Sequence, residues 1–387
     1  MRLRIKDIVT VRNEKTTRNN NYIGLENIIS WDAKFLQTDI ESEGTNCVFH
    51  KGDILFGKLR PYLAKGYIPE YSGTCSTEFL VMIAKKSCSN KFLLYAFLSH
   101  SIIDYIKNQV AGVKMPRTNW NAFSSIELDI PTLSEQRRMV DYLDTKLSEI
   151  DRQVSLLTRK RDAYLRLKKS IINHAVTKGL DKNAKMKDSG IEWIGKVPEQ
   201  WEVKRLKDCV TLTKGRTPND LTLDPVNLPY LTMDYLRDRE GKDIMYPKQT
   251  AGLLKIGANE IIVLWDGANA GEFILSKEGY LGSTMALVEC KRNAIVKDYL
   301  YYLLKGIEFD SKYYANGTTI PHFDSITIMT RQYPLPPTAE QRSIATYLDD
   351  KCGKIDTIVA NLNKQINCYA DLKRSLIDEV ITGKRAV

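Results

Sequence analysis

Gly52-Asp53-Ile54-Leu55-Phe56-Gly57-Lys58-Leu59 comes nearest to a catalytic signature in this chain. It follows the G-x-x-x-x-G-K pattern of a phosphate-cradling loop up to the last position, where Leu59 replaces the hydroxyl that would hold magnesium. Ile54-Leu55-Phe56 reads as an apolar strand where such a loop needs bare backbone, so nucleotide binding is not expected. The cysteines, Cys47, Cys75, Cys88, Cys209, Cys290, Cys352 and Cys368, form no CxxC pair, and His50, His100, His174 and His322 lie far apart. No metal site is expected from them, and the thiols read as reduced and mostly buried. Paired nuclease carboxylates, a glycine-rich cofactor fingerprint after a strand and the Asn-Pro-Pro-aromatic motif of amino-methyltransferases are not found either. No residue is therefore assigned a catalytic role.

The remaining chemistry is recognition. Basic residues cluster with polar and aromatic ones in loop-like stretches of the first half: Arg12, Lys15 and Arg18 beside Asn19-Asn20, then Lys58, Arg60, Tyr62 and Lys65, then Lys114, Arg117 and Asn119. The second half offers Lys214 and Arg216, then Asn269, then Thr318, Thr319 and His322. Arg and Lys neutralise phosphates or bind guanine edges, and Asn can pair with adenine. For any one of these residues the competing reading is a solvated surface charge, and for Tyr62, beside Pro61, it is packing. The charge balance of 57 Lys+Arg against 47 Asp+Glu, net +10, suits an acidic partner such as nucleic acid or a phospholipid surface. No apolar run approaches the roughly 20 residues of a spanning helix. Met1-Arg2-Leu3-Arg4-Ile5-Lys6 is followed by no apolar signal core, and a cytoplasmic location is expected.

The elements that must carry these loops come in duplicate. Shifting the sequence by 205 residues lays Pro131 on Pro336, Glu135-Gln136-Arg137 on Glu340-Gln341-Arg342, Tyr142-Leu143-Asp144 on Tyr347-Leu348-Asp349 and Ile150-Asp151 on Ile355-Asp356. Tyr164, Leu167-Lys168 and Ser170 likewise recur as Tyr369, Leu372-Lys373 and Ser375. In each copy positions step by alternating four and three: Leu143, Leu147, Ile150, Val154 and Leu157, then Leu348, Cys352, Ile355, Val359, Leu362 and Ile366. That is a heptad seam. With Pro131 or Pro336-Pro337 before the start, and Gly179 or Gly383 near the end, each copy is expected to form one helix of about 40 residues. Neither can bury its stripe alone, so mutual pairing is favoured over two helices packed separately on globular domains.

The segments before the helices correspond more loosely. Arg4-Ile5-Lys6-Asp7-Ile8-Val9 matches Arg205-Leu206-Lys207-Asp208-Cys209-Val210, and short strand-like runs precede helix-like stretches around 92–108 and 296–305. The chain thus reads as an α+β protein with a pseudo-twofold internal repeat. Mixed α/β recognition domains occupy 1–130 and 185–335, and helical regions follow at 131–180 and 336–385. Domains that share a scaffold but not a surface suit two readers with different ligands.

Ser189-Gly190-Ile191-Glu192-Trp193-Ile194-Gly195-Lys196-Val197-Pro198-Glu199-Gln200-Trp201-Glu202-Val203, with the segments 131–137, 336–342 and 52–62, resembles the specificity (S) subunits of type I restriction-modification systems. The resemblance covers essentially the whole chain. It implies two target recognition domains held apart by an antiparallel coiled coil of the conserved helices, each reading one half of a split double-stranded DNA target. It also implies docking of methyltransferase (M) subunits, two in number, and restriction (R) subunits. S-adenosylmethionine, ATP and Mg would then act on those partners, with no cofactor bound by this chain. The pattern departs at the start, where Met1 aligns with Glu202 and the first domain lacks the Ser-Gly-x-x-Trp lead-in. A helix over 134–176 would span roughly 64 Å at about 1.5 Å per residue, comparable with about 19 base pairs, which suits a ruler between half-sites. Two other readings stay open at this level: a self-sufficient DNA-modifying enzyme and a coiled-coil protein-assembly module.

Overall fold

The computed structural model describes residues 1–38, 44–109, 116–192, 194–238, 243–292, 294–313 and 321–387. They form two compact units, Met1–Lys160 with Leu362–Val387, and Arg161–Asn361. The contacts therefore group the chain differently from its linear order. Each unit combines one recognition domain with part of both long helices.

In the first unit the strand Ile54–Gly57, buried at every position, lies inside a four-stranded antiparallel sheet. The strand order is Val9–Val11, Phe79–Ala84, Ile54–Gly57, Gly66–Tyr67. Side chains alternate across a sheet, and both faces are used. Ile54 and Phe56 join the core formed with the helices Asn90–Phe97 and His100–Gln109, while Leu55 packs with Ile23, Phe49, Phe79 and Val81. The near-match to a phosphate loop is thus an interior strand.

The second unit repeats this order with Val210–Lys214, Met285–Cys290, Ile261–Leu264 and Phe273–Leu275. Ile261 and Val263 face one core, and Ile262 and Leu264 face the other. A two-stranded pair closes each domain, Arg2–Arg4 with Glu127–Asp129 in one unit and Glu202–Arg205 with Gln332–Leu335 in the other.

Each expected long helix is a single uninterrupted helix: Leu133–Lys178, of 46 residues, and Thr338–Ile381, of 44. Each stops at a glycine in the left-handed region, Gly179 at φ 77° and Gly383 at φ 73°, a conformation that costs glycine no side-chain clash. Their seams are unevenly covered. Leu143, Leu147, Ile150, Leu348, Ile355 and Leu362 are buried, whereas Val154, Leu157, Val359 and Ile366 are half-buried. A two-helix seam shields only part of each side chain, and burial becomes deep where a recognition domain adds a second wall. In the first unit Leu143, Leu147 and Ile150 share one core with Leu376, Ile377 and Val380 and with the sheet-covering helices.

The repeated motif residues tie domain to helix. Buried Gln136 accepts from the Ser89 amide at 2.8 Å and donates to the Pro131 carbonyl at 2.9 Å. Gln341 makes the same pair of bonds with the Val296 amide (2.7 Å) and the Pro336 carbonyl (2.8 Å). Tyr95 donates to Asp144 at 2.7 Å and Tyr302 to Asp349 at 2.6 Å. Burial first, and then the bond to the carboxylate, pushes both phenols up and keeps them protonated donors.

Charged pairs set the direction of the helices. Lys373, only 10% exposed at its side chain, bonds Asp151 at 2.7 Å and also Asp32. Its repeat equivalent in the second unit, Lys168, bonds Asp356 at 2.6 Å. In either unit the beginning of one long helix lies against the end of the other, so they run antiparallel there.

Burial opposes ionisation of Asp151, but hydrogen bonds from Lys34 and Lys373 outweigh it and hold its carboxyl below the usual range. A depressed carboxylate stabilises the fold fully above its unfolded value, about 3.9, and stops doing so as pH falls through the folded value. Lys373→Ala should therefore cost about 2 kcal/mol at pH 7, because it leaves half-buried Asp32 and Asp151 to share the more exposed Lys34 alone. Lys168→Ala, at a more exposed pair, should cost about 0.5 kcal/mol. Urea melts of the two variants check the difference, and the gap between wild type and Asp151→Asn should narrow as pH falls below the unfolded value of about 3.9.

Candidate nucleic-acid interface

At the exit of the interior strand both units build the same backbone clamp. In the first, the Thr118 amide donates to the Lys58 carbonyl at 3.0 Å and the Arg60 amide to the Pro116 carbonyl at 2.8 Å, around a bridge between Leu59 and Arg117. In the second, the Phe323 amide donates to the Trp265 carbonyl at 2.8 Å and the Gly267 amide to the Pro321 carbonyl at 3.0 Å, around a bridge between Asp266 and His322. Two of the sequence clusters, the one from Lys58 and the one at Arg117, are thereby brought together. Lys214 joins the equivalent place in the second unit. Backbone geometry is shared while the side chains are not.

In the second unit His322 Nδ1 lies 2.6 Å from Asp266, and Lys214 reaches the same carboxylate at 3.4 Å with its ammonium 5.1 Å from the centre of the Trp265 ring. Trp265 is held edge-on against Phe323, with centroids 5.5 Å apart. The His322 side chain stays 59% exposed. With Nδ1 engaged by a carboxylate, Nε2 is the atom left for a ligand. Gly215, between Lys214 and Arg216, has no room for a side chain, since a Cβ there would lie 2.4 Å from the carbonyls of Leu281 and Gly282. This close approach fixes the loop that carries both cations. Arg216 is exposed, as is Asn269, two residues beyond Gly267 of the clamp.

The first unit places a carboxylate from a different position. Arg117 pairs with Glu78 at 3.0 Å and remains 58% exposed. Other cations of this unit are spent on the fold. Arg12 holds Asp53 at 2.9 Å, where Asp53 is 6% exposed at its side chain and also accepts from the His50 amide. Lys65 donates to the Leu25 carbonyl at 2.6 Å, and burial pushes its ammonium below the usual lysine range. Asn119 caps the helix Trp120–Ser124 by accepting from the Ala122 amide at 3.0 Å.

Lys58, Arg60 and Tyr62 follow the interior strand, with Lys58 half-buried and the other two exposed. Lys15 and Arg18 belong to another edge, on and beside the small sheet of Lys15–Thr16, Asn46–Phe49 and Gly73–Cys75. There Arg18, Asn19, Asn20 and His50 line a shallow cavity of about 600 Å³. Lys114, Thr318 and Thr319 lie outside the described residues.

The type I restriction modification DNA specificity domain model matches residues 1–160 and again 198–367. The chain belongs to this family.

Among relatives, the chain is similar to the type I restriction enzyme MjaVIII specificity subunit of Methanocaldococcus jannaschii, with 38% identity over 190 residues, covering 48% of this chain and 43% of that one. The putative MjaX specificity subunit of the same organism is 23% identical over 350 residues, 86% of this chain and 78% of the relative. The stretch shared with the first of these spans less than half of that relative's length. A solved chain from work on complex assembly and conformational transition of the type I R-M system shares the fold, with a TM-score of 0.69 and 18% identity over 98% of this chain and 97% of that one.

The residues at this interface that the sequence did not single out are Trp265, Asp266 and Glu78. The 205-residue shift lays Lys58 on Val263, whereas the clamp equates Lys58 with Trp265. Six extra residues between Val210 and the clamp, and two fewer between the clamp and Pro321, hid the correspondence. The signal was present as a strand-ending Trp265-Asp266-Gly267, legible once the strands rather than the helices are aligned.

Arg12→Ala should act through folding rather than recognition. Leaving Asp53 buried with only a backbone amide partner should cost about 2 kcal/mol. Chemical denaturation of this variant, beside DNA binding measured under fully folded conditions, separates the two effects.

Proposed function

We propose that the chain is the DNA sequence-specificity subunit of a type I restriction-modification complex, reading a bipartite duplex target with its two recognition domains. The observation that carries this reading is the duplicated clamp, built from the same backbone hydrogen bonds and different side chains. Leu59, Arg60 and Arg117 in one unit stand where Asp266, Gly267 and His322 stand in the other. A scaffold kept twice with its exposed residues exchanged is what recognition of two unlike half-sites requires, because hydrogen bonding to base edges depends on those residues alone.

In this reading the chain itself is not catalytic. Two methyltransferase subunits dock on the long helices and restriction subunits join the assembly. Methyl transfer from S-adenosylmethionine and ATP- and Mg-dependent work belong to those partners, in the cytoplasm. Supporting the docking role, Leu156, Leu165, Leu167 and Leu372 on the helices are between 45% and 48% exposed, more apolar surface than a solvated helix face needs. No helix among the described residues is long and apolar enough to cross a membrane. The length of the helices that both units share sets the spacer between half-sites.

Specific binding by the full chain should weaken steeply with salt as phosphate counterions are released. Inserting a heptad into both helices should change the preferred spacer and leave the half-sites intact. Selection from randomised duplexes reads both, and an unchanged spacer would refute the ruler. Purified chain incubated with DNA, Mg, ATP and S-adenosylmethionine should neither methylate nor cleave. Turnover by the chain alone would favour the enzyme reading instead.

A further inference from the structure

Arg60 sits in a backbone conformation that its side chain disfavours. Its φ is 49° and ψ 60°, in the left-handed region, and the next residue is Pro61, the first of the short turn Pro61–Leu63. Left-handed conformation is uncommon for a residue with a Cβ, and a following proline restricts its neighbour to extended backbone. Such strain persists only when surrounding structure enforces it. The enforcement is visible: the Arg60 amide is held by the Pro116 carbonyl at 2.8 Å, and its carbonyl accepts from the Leu63 amide at 2.9 Å.

The repeat supplies the control for this position. In the second unit the clamp residue whose amide is held by Pro321 is Gly267, at φ 105°. The scaffold therefore demands a positive φ here, and glycine meets that demand without cost. An arginine in its place serves something other than the backbone.

Among the described residues, nothing uses the Arg60 side chain. It is exposed and makes no hydrogen bond or ion pair among the described residues, whereas Arg12, Lys65 and Arg117 are engaged by Asp53, Leu25 and Glu78. Tyr62, 40% exposed, stands two residues on, in the same turn. A guanidinium carried on a rigid turn keeps its fork geometry, which matches the O6 and N7 acceptors of guanine in the major groove.

We propose that Arg60 reads a guanine in the half-site recognised by the first unit, and that its strained backbone is retained for that contact. The proposal rests on the DNA-specificity reading. It assigns to one side chain a recognition role that the second unit, with Gly267, fills differently.

The test uses the full chain and a library of randomised duplexes, followed by titration with the selected sequence. Arg60→Gly should lower affinity for that sequence roughly tenfold or more, the loss expected for a bidentate contact. It should make one guanine position degenerate, leave the other half-site unchanged and keep or raise the melting temperature, because the strain is gone. Arg60→Lys should keep salt-dependent binding to unselected DNA while relaxing the same position. Wild-type affinity and preference in Arg60→Gly would overturn the proposal, as would a lowered melting temperature, which would mark Arg60 as structural. Absence of any enriched sequence with the wild-type chain would overturn the specificity reading and the proposal with it, a result distinguishable from failure of Arg60 alone.

Discussion

The pairing of lysine with aspartate across the long helices, Lys373 with Asp151 and Lys168 with Asp356, is the contact on which the rest of the architecture depends. A heptad seam of Leu, Ile and Val is tolerant, since apolar knobs can slide by a heptad and still be buried. A lysine with one-tenth of its side chain exposed cannot slide, because displacement leaves its own charge unpaired in a poorly solvated place and two carboxylates with Lys34 alone. Register is therefore fixed by electrostatics and affinity between the helices by apolar burial. The same residues serve in both units because the repeat turns the first long helix's aspartate into the second's, and its lysine likewise.

Once the register is fixed, the domains are attached by a second repeated device. Gln136 and Gln341 each satisfy a backbone amide at the start of a domain helix and a carbonyl just before their own helix. An amide side chain that donates and accepts at once is suited to a buried corner where two chain segments meet. Tyr95 with Asp144 and Tyr302 with Asp349 add a second point of attachment, in each helix about two turns further along. Two fixed points orient a domain on a helix, which leaves the clamp free to vary without disturbing the joint.

What the sequence made legible follows this division. The helices, their ends and their seam could be read because heptad spacing, flanking prolines and terminal glycines are local signals, repeated without a gap. The interior strands were visible as apolar runs. The clamp was not, because it is made of backbone hydrogen bonds between segments nearly 60 residues apart, such as Arg60 to Pro116, and these leave no residue-type signature. Nor could composition say which cations are spent internally. Arg12 and Lys65 look as available as Arg60 until Asp53 and the Leu25 carbonyl are seen against them. Asn119, chosen for its affinity for adenine edges, is a helix cap, a role that asparagine fills at least as often.

The grouping of the ends of the sequence has a consequence for the order in which the protein is made. Leu376, Ile377 and Val380 lie in the same core as Ile5, Phe56 and Leu143, so the first recognition domain lacks one wall until the helix Thr338–Ile381 leaves the ribosome. The second unit, Arg161–Asn361, is contiguous and has all its parts earlier. Domains ordinarily fold from the N-terminus as synthesis proceeds. Here synthesis runs against that order: the first recognition domain emerges with apolar surface uncovered, and the segment that completes its core is made only after every part of the second unit.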